Sequence, residues 1–220
     1  MIRVLGKLPN RFFFACSGGS DSMAILDFLR NGRYNPIVLN FHHGTEFGRE
    51  ARRFLRKKCK EFSLPFVTHS IDERHMIGES KEAFWRRNRY RFFDAFPGPI
   101  VTAHHLDDAA EWWVFSCLHG QGKLIPYQNG NVIRPFLLTP KSEILSWAER
   151  KGVEYLDDPA NKDEKFMRSI IRHRIMPEAL RVNPGLHKVV KKKIIKEFDE
   201  QSIQAAKAGR ESGAPKEAAS

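Results

Sequence analysis

The chain has 220 residues, of which 41% are hydrophobic and 29% are charged, a balance that excludes a chain disordered throughout its length. Thirty-seven Lys and Arg against 26 Asp and Glu give a formal charge of +11, which favours a polyanionic partner but is equally consistent with simple solubility. Three widely spaced cysteines without a C-x-x-C pair, and no apolar run that could span a bilayer, argue against a disulfide scaffold, a zinc or iron–sulfur site and a membrane protein. We therefore expect reduced thiols and a cytoplasmic location.

The first half of the chain predicts alternating strands and helices. Short apolar runs of strand length are followed in turn by segments with helical spacing, in the order 11–16, 21–30, 36–41, 46–62, 64–71, 81–96, 99–103 and 106–118. This alternation predicts an α/β fold of Rossmann-like type, with a parallel sheet covered by helices on both faces.

The second half predicts a lid or an edge built mostly of helices. An extended piece at 132–136 precedes helical segments at 140–151 and 164–180. From 186 to 198, apolar residues recur at every fourth position among lysines, which predicts a basic amphipathic helix. Beyond residue 204 the composition predicts a disordered tail.

A glycine-rich turn follows the first predicted strand. Its residues are Ser17, Gly18, Gly19, Ser20, Asp21 and Ser22. Between a strand and a helix, such a turn can hold phosphate through backbone N–H groups and the helix dipole. The turn is neither a Walker A loop nor a dinucleotide-binding fingerprint, because G-K-[ST] and G-x-G-x-x-G are both missing. The alternative is a turn that only caps the helix, with Asp21 at its positive end.

A segment rich in histidine and acid, AHHLDDAAE at 103–111, follows the fourth predicted strand. Open parallel sheets bind ligands at this edge, so the segment should lie close to the glycine-rich turn. Asp108 and Glu111 share one helix face and could bind a cationic amine together. One alternative is that the carboxylates only cap the helix. Another is a two-metal hydrolase, with ligands from His104, His105, Asp107 and Asp108.

The ordered set of motifs resembles the tRNA(Ile)-lysidine synthetases of the PP-loop ATP pyrophosphatase superfamily. The glycine-rich turn is similar to the SGGxDS loop of that family, and HHLDDAAEW is similar to its HHxDDQxET motif. Further similarities follow in chain order at 41–44 (FHHG), 82–90 (EAFWRRNRY), 133–137 (IRPFL), 158–161 (DPAN), 168–172 (RSIIR) and Pro177. The resemblance implies a PP-loop ATP-binding catalytic domain at 1–184. The basic helix predicted from apolar spacing then covers 185–204, and the tail predicted from composition covers 205–220.

The resemblance also implies two half-reactions in one pocket. O2 of a cytidine at the wobble position of tRNA-Ile with a CAU anticodon attacks the α-phosphate of ATP and expels pyrophosphate. The side-chain amine of free L-lysine then displaces AMP at C2. By position, the turn from Ser17 to Ser22 would bind ATP and Asp21 would bind Mg²⁺. Asp108 and Glu111 would bind lysine. Contacts to phosphate or tRNA would come from Arg86, Arg168 and Arg172.

Several positions depart from the family pattern. Ala109 and Trp112 replace Gln and Thr, Ser169 replaces Asn, and His42 stands where Asp or Asn is usual. Two further hypotheses follow: another PP-loop enzyme that modifies a tRNA cytidine, such as a thiolase, and a degenerate homologue that binds tRNA without catalysis. Many family members hold tRNA with additional C-terminal domains, and here the basic helix is either a grip on tRNA or a solvated cover. Trp112 and Trp113 are more typical of a core or interface than of a platform for a base, although the basic, aromatic segment with Arg86, Arg87 and Arg89 leaves the second role open.

Overall fold

The computed structural model describes residues 1–71, 78–159 and 167–211, without the side chains of Glu82 and of residues 205–211. The strands are β1 (Phe13–Ala15), β2 (Ile37–His42), β3 (Phe66–Ser70), β4 (Ile100–Thr102), β5 (Gln128–Asn129) and β6 (Val132–Ile133). The helices are α1 (Ser20–Asn31), α2 (Glu46–Glu61), α3 (Lys81–Asp94), α4 (Leu106–Leu118), α5 (Lys141–Lys151), α6 (Met167–Ile170), α7 (Met176–Val182) and α8 (Leu186–Glu211), with a π-helical turn at Ile171–Ile175 before α7. The predictions for 160–161, 164–166 and 212–220 lie outside the described residues.

The six strands form one sheet in the order β3-β2-β1-β4-β6-β5. Neighbouring strands are parallel except β5 and β6, which form an antiparallel pair at one edge. The chain moves outward from β1 in one direction through β2 and β3, and then continues on the other side with β4. The gap between β1 and β4 is therefore the topological switch point, where sheets of this kind bind ligands.

Adjacent residues of each short strand point to opposite faces of the sheet, and both faces are buried. One face carries Phe14, Val38, Val101 and Ile133, which pack against α1, α2 and α5. The other face carries Phe13, Leu39, Ile100 and Val132, which pack against Phe93 of α3. The predicted parallel sheet with helices on both faces is confirmed, and the central strands need apolar runs because both of their faces are covered.

A separate core joins α4 to α8. Leu186, Val190 and Ile194 of α8 are buried against Ala109 and Ala110 of α4. The helix continues to Glu211, so the predicted boundary at residue 204 is too early. The physical reason is that QAAKA at 204–208 consists of strong helix formers. Among the described helices, none is long and apolar enough to cross a membrane.

The sequence predicted one continuous helix at 164–180, but the described residues of this segment, from 167 onwards, form separate helical pieces. It forms α6, the π-helical turn and α7 in succession. Pro177 lacks an N–H and its ring crowds the preceding turn, which disfavours a continuous α-helix here. Strand β5 was not predicted, because two residues are too few to show a period.

Candidate active site

The side chain of Ser22 holds the glycine-rich turn in shape. Its buried hydroxyl accepts a hydrogen bond from the N–H of Ser17 at 3.2 Å and donates to the carbonyl of Gly19 at 3.1 Å. Gly18 has a φ of +88°, a conformation that favours glycine. Gly19 is the N-cap of α1 and has no side chain to cap it, so the first N–H groups of α1, from Ser20 onwards, are donors suited to a phosphate.

Asp21 lies in the first turn of α1 and faces an imidazole and an ammonium group. Its Oδ2 lies 3.6 Å from His105 Nε2 and 3.6 Å from Lys141 Nζ. Burial opposes the charged carboxylate, but His105, Lys141 and Arg172 outweigh it and lower the pKa of Asp21. Its Oδ1 is buried and has no hydrogen-bond partner among the described residues. An ionised oxygen in this state, beside donors for phosphate, fits Mg²⁺, which proteins commonly bind through one or two carboxylates plus substrate phosphates.

His105 caps α4 and brings its first turn to Asp21. The N–H of Asp108 donates to His105 Nδ1 at 3.3 Å, and the N–H of His105 donates to Asp108 Oδ2 at 3.0 Å. A proton on Nδ1 would break the first bond, so the capped ring carries its proton on Nε2, which faces Asp21 and Asp108. Burial opposes the imidazolium, yet the carboxylates of Asp108, Asp21 and Asp107 together raise the pKa of His105.

Arg172, in the π-helical turn, joins the two acids of α4. Its Nε and one terminal nitrogen donate to the two carboxylate oxygens of Glu111, at 2.7 and 2.8 Å. The same terminal nitrogen lies 3.4 Å from Asp108 Oδ1. Both carboxylates therefore face one cation, as expected for a pair three residues apart on one face. The sequence predicted Arg172 as a phosphate or tRNA ligand, whereas the structure places it against these acids.

One cavity of about 370 Å³ joins the glycine-rich turn to the start of α4. It opens at the carboxyl ends of β1, β2 and β4, and its lining includes Ser17, Asp21, Ser22, His104 and Asp108. Asp21 and Asp108 thus face the same space at the switch point. The remaining wall mixes apolar side chains, such as Leu39, Phe41 and Phe93, with polar ones, such as Asn40 and Arg89, a setting that suits the ring system of a nucleotide.

A second cavity, of about 390 Å³, adjoins the first through His43, Arg89 and His104, which line both. Here lie Arg86 and Arg168, two of the predicted phosphate or tRNA ligands, but Arg172 does not line it. The residues that complete its polar lining are Ser80, Asn129 and Arg134. We name this space the arginine cavity.

Arg134 is a member of the arginine cavity whose role the sequence did not reveal. It is 2% exposed, and its terminal nitrogens donate to the carbonyl of Pro126 at 2.8 Å and to the Tyr90 hydroxyl at 2.9 Å. Its Nε has no partner among the described residues. Lys141 was likewise not assigned a role, and His105 was considered only as a metal ligand of the hydrolase alternative. The family resemblance could have indicated Arg134 and His105 as site residues, because they belong to the motifs IRPFL and HHLDD. Lys141 lies outside every motif.

Two alternative chemistries find little support in this geometry. Within residues 1–71, 78–159 and 167–211, no group of three or more His, Cys, Asp or Glu side chains is arranged to hold a metal ion, as a two-metal hydrolase requires. A thiolase of the kind considered needs paired cysteines. Cys16 and Cys59 are free and buried, and burial raises their pKa values to about 11 and about 12, which disfavours the reactive thiolate.

Comparison with known proteins identifies the family of the chain. A family model described as a PP-loop domain matches residues 4–179. The chain belongs to the PP-loop family. This PP-loop protein is 32% identical over 215 residues to a tRNA(Ile)-lysidine synthase of Thermotoga sp. (strain RQ2), covering 86% of this chain and 51% of that relative. It is 33% identical over 180 residues to the tRNA(Ile)-lysidine synthase of Methylococcus capsulatus, covering 74% of this chain and 41% of that relative.

The PP-loop protein therefore spans about half the length of the curated relatives that it matches. The resemblance to tRNA(Ile)-lysidine synthetases predicted from the motifs is confirmed at the level of the family. Among solved structures, the NH3-dependent NAD synthetase from Campylobacter jejuni is similar with a TM-score of 0.45 and 14% identity, over 87% of this chain and 86% of that chain.

Proposed function

We propose that this PP-loop protein catalyses the formation of lysidine at the wobble cytidine of a tRNA-Ile with a CAU anticodon, using ATP and free L-lysine. The observation that carries the proposal is that Asp21, at the glycine-rich turn, and Asp108, at the start of α4, line one cavity. A nucleotide held at the turn and an amine held at α4 would then meet over the same cytosine. The relatives named tRNA(Ile)-lysidine synthase support this choice of substrate.

In the first half-reaction, O2 of the cytosine attacks the α-phosphorus of ATP. The O–P bond to cytosine forms as the bond to the bridging oxygen of pyrophosphate breaks, and pyrophosphate leaves with that electron pair. The N–H groups at the start of α1 would stabilise the charge on the departing phosphates, because the helix dipole is positive there. Asp21 would hold Mg²⁺ through its unpartnered Oδ1, and the bound ion would neutralise phosphate charge.

In the second half-reaction, the side-chain amine of lysine attacks C2 of the adenylated cytosine. The new C–N bond forms, the C2–O bond breaks, and AMP leaves with the oxygen. Asp108 and Glu111 would position the amine and accept its proton. Their pairing with Arg172 supports this role, because Glu111 accepts two short hydrogen bonds from that cation and Asp108 Oδ1 lies 3.4 Å from it. The lysine ammonium would take or share the place of that guanidinium.

The decisive experiment measures product. The protein is incubated with Mg²⁺-ATP, labelled lysine and a tRNA-Ile transcript with a CAU anticodon, and the nucleosides are then analysed by mass spectrometry. Lysidine, together with equal amounts of AMP and pyrophosphate, is the expected outcome. A transcript with UAU in place of CAU is the matched control and should gain no label.

Two results would contradict the proposed reaction and support a different function. Modification of the cytidine without lysine would point to a different PP-loop cytidine-modifying enzyme. Binding of tRNA without any AMP or pyrophosphate, over the full range of enzyme concentration, would point to a homologue that binds without catalysis. Glu111→Gln serves as an internal check, since it should lower lysine incorporation more than it lowers pyrophosphate release.

A further inference from the structure

Three aromatic rings follow one another along the face of α4 that borders the arginine cavity. Trp112, Phe115 and His119 lie three and four residues apart, which places them on one side of the helix. The rings of Trp112 and Phe115 are stacked with centroids 5.6 Å apart, and those of Phe115 and His119 are 4.3 Å apart. We name these three residues the aromatic strip.

The aromatic strip borders the arginine cavity and a second space whose lining carries both lysines and the acids Glu197 and Glu200. Trp112 and Phe115 line the arginine cavity. Trp112 also lines a shallower depression together with Lys193 and Lys196, two exposed lysines of α8. The sequence suggested a core or interface role for Trp112, but the structure leaves part of its ring facing open space on both sides. Its neighbour Trp113 lies instead beneath Lys193, whose Nζ is 5.7 Å from the centre of the Trp113 ring.

The charge of the arginine cavity is not balanced by its own lining. No carboxylate lines it among the residues that the structure describes, although four guanidinium groups do: those of Arg86, Arg89, Arg134 and Arg168. Arg134 is almost fully buried with an unpartnered Nε. Burial, together with the neighbouring arginines, lowers the pKa of Arg89 to about 10. Arg134 is buried and Arg89 is part-buried, and cations that repel one another in such a setting are stabilised by an anionic ligand. Arg86 and Arg168 are exposed and can pair with further charges of the same ligand.

A free inorganic anion would use the arginines but not the rings beside them. An apolar peptide would use the rings but would leave the guanidinium groups desolvated and unpaired, which is costly. Phosphates spaced along a chain that also carries planar bases match both features. Proteins bind single-stranded nucleic acid with this combination of aromatic platforms and a basic groove.

We propose that the aromatic strip and the arginine cavity together bind a single-stranded RNA segment, with a base stacked on Trp112 at the end of the strip and phosphates paired with the arginines. The identity of that segment as a tRNA loop rests on the proposed function. The binding itself requires neither ATP nor lysine. Trp112 stands where the resembled family carries Thr, whereas Arg86, Arg134 and Arg168 belong to the shared motifs, so the aromatic platform is the part of this surface that departs from the family pattern.

The test uses the full chain and a hairpin RNA with an unpaired loop, labelled with fluorescein and followed by fluorescence anisotropy at fixed salt without ATP or lysine. Three RNAs are compared: the intact hairpin, the same hairpin with abasic riboses in the loop, and a duplex of equal length. Four variants are compared with the wild type, namely Trp112→Leu, Trp112→Phe, Phe115→Leu and, as matched control, Trp113→Leu.

The wild type should bind the intact hairpin roughly tenfold more tightly than the abasic hairpin or the duplex, the effect of losing about one stacked base. Trp112→Leu and Phe115→Leu should lose that preference, whereas Trp112→Phe should keep most of it because the ring remains. Trp113→Leu should leave it unchanged. The comparison of three RNAs on the wild type needs no variant, so a variant that fails to fold does not prevent the test.

Equal affinity of the wild type for all three RNAs would overturn the proposal and leave a surface that recognises charge alone. The proposal would also be contradicted if Trp112→Leu and Trp113→Leu both stayed folded and lost the preference for the intact hairpin to the same extent. The result of this binding test is independent of the result of the lysidine assay that tests the proposed function. A clear preference for the unpaired loop without lysidine formation would refute only the reaction, and lysidine formation with no preference would refute only the stacking surface.

Discussion

Asp21 and Asp108 approach the same imidazole nitrogen. His105 Nε2 lies 3.6 Å from Asp21 Oδ2 and 3.4 Å from Asp108 Oδ2, with the imidazole almost fully buried. Because Nδ1 of the same ring accepts the N–H of Asp108, His105 is anchored to α4 while it faces α1. One side chain thus sets the separation between the nucleotide side and the amine side of the cavity.

Asp21→Asn should abolish consumption of ATP while the protein stays folded. The amide keeps the size of the side chain but lacks the charge that Mg²⁺ requires, and loss of several kcal/mol of charge stabilisation predicts a rate of pyrophosphate release lower by about 100-fold or more. The measurement is pyrophosphate release with ATP and tRNA, and Glu149→Gln, an exposed acid of α5, is the control. A rate for Asp21→Asn close to that of the wild type would contradict this role.

Arg172→Gln should destabilise the fold because it leaves Glu111 without its partner. Breaking a fully buried pair costs about 3–5 kcal/mol, but the Arg172 side chain is 36% exposed, so solvent reduces the expected loss to about 1–3 kcal/mol. Urea unfolding measures the change in the free energy of unfolding. Adding Glu111→Gln to Arg172→Gln should recover part of the loss, and strict additivity of the two changes would show that the pair is not coupled.

Two substitutions at His105 should separate its structural and its functional contribution. His105→Ala removes the N-cap of α4 and should lower the free energy of unfolding by about 1 kcal/mol. His105→Asn supplies a good N-cap residue but cannot reach Asp21 as the imidazole does, so stability should be kept while pyrophosphate release falls. The two readouts are urea unfolding and the pyrophosphate assay. Equal activity of His105→Asn and the wild type would limit His105 to capping.

His104 should make the fold less stable in mild acid. Burial lowers its pKa to about 3, from an unfolded value near 6.5, so between these values the unfolded chain binds the additional proton. The contribution of the neutral His104 imidazole to the free energy of unfolding is therefore complete above pH 6.5. It is lost as the pH falls below this value, by about 1 kcal/mol per pH unit. Urea unfolding at several pH values should show a shallower dependence in His104→Gln. The exposed His119→Gln should match the wild type, and a parallel dependence in both variants would refute the assignment.

Local patterns determined most of the fold and the identity of the candidate site residues. The alternation of apolar runs with helical spacing predicted four parallel strands and the helices between them, because the periods of strands and helices appear within a few residues. The glycine-rich turn and the acid pair of α4 were predicted for the same reason. Each follows a strand, and the carboxyl ends of parallel strands meet at one edge.

Only the tertiary structure decided which charges meet. Arg172 lies 61 residues from Glu111 along the chain, and Lys141 contacts Asp21 from another helix. No local period encodes such a contact, since it depends on how the π-helical turn and α5 pack against the sheet. The same holds for Trp112, because the residue type alone is compatible with a core. The packing of α4 between α8 and the arginine cavity leaves its ring facing open space.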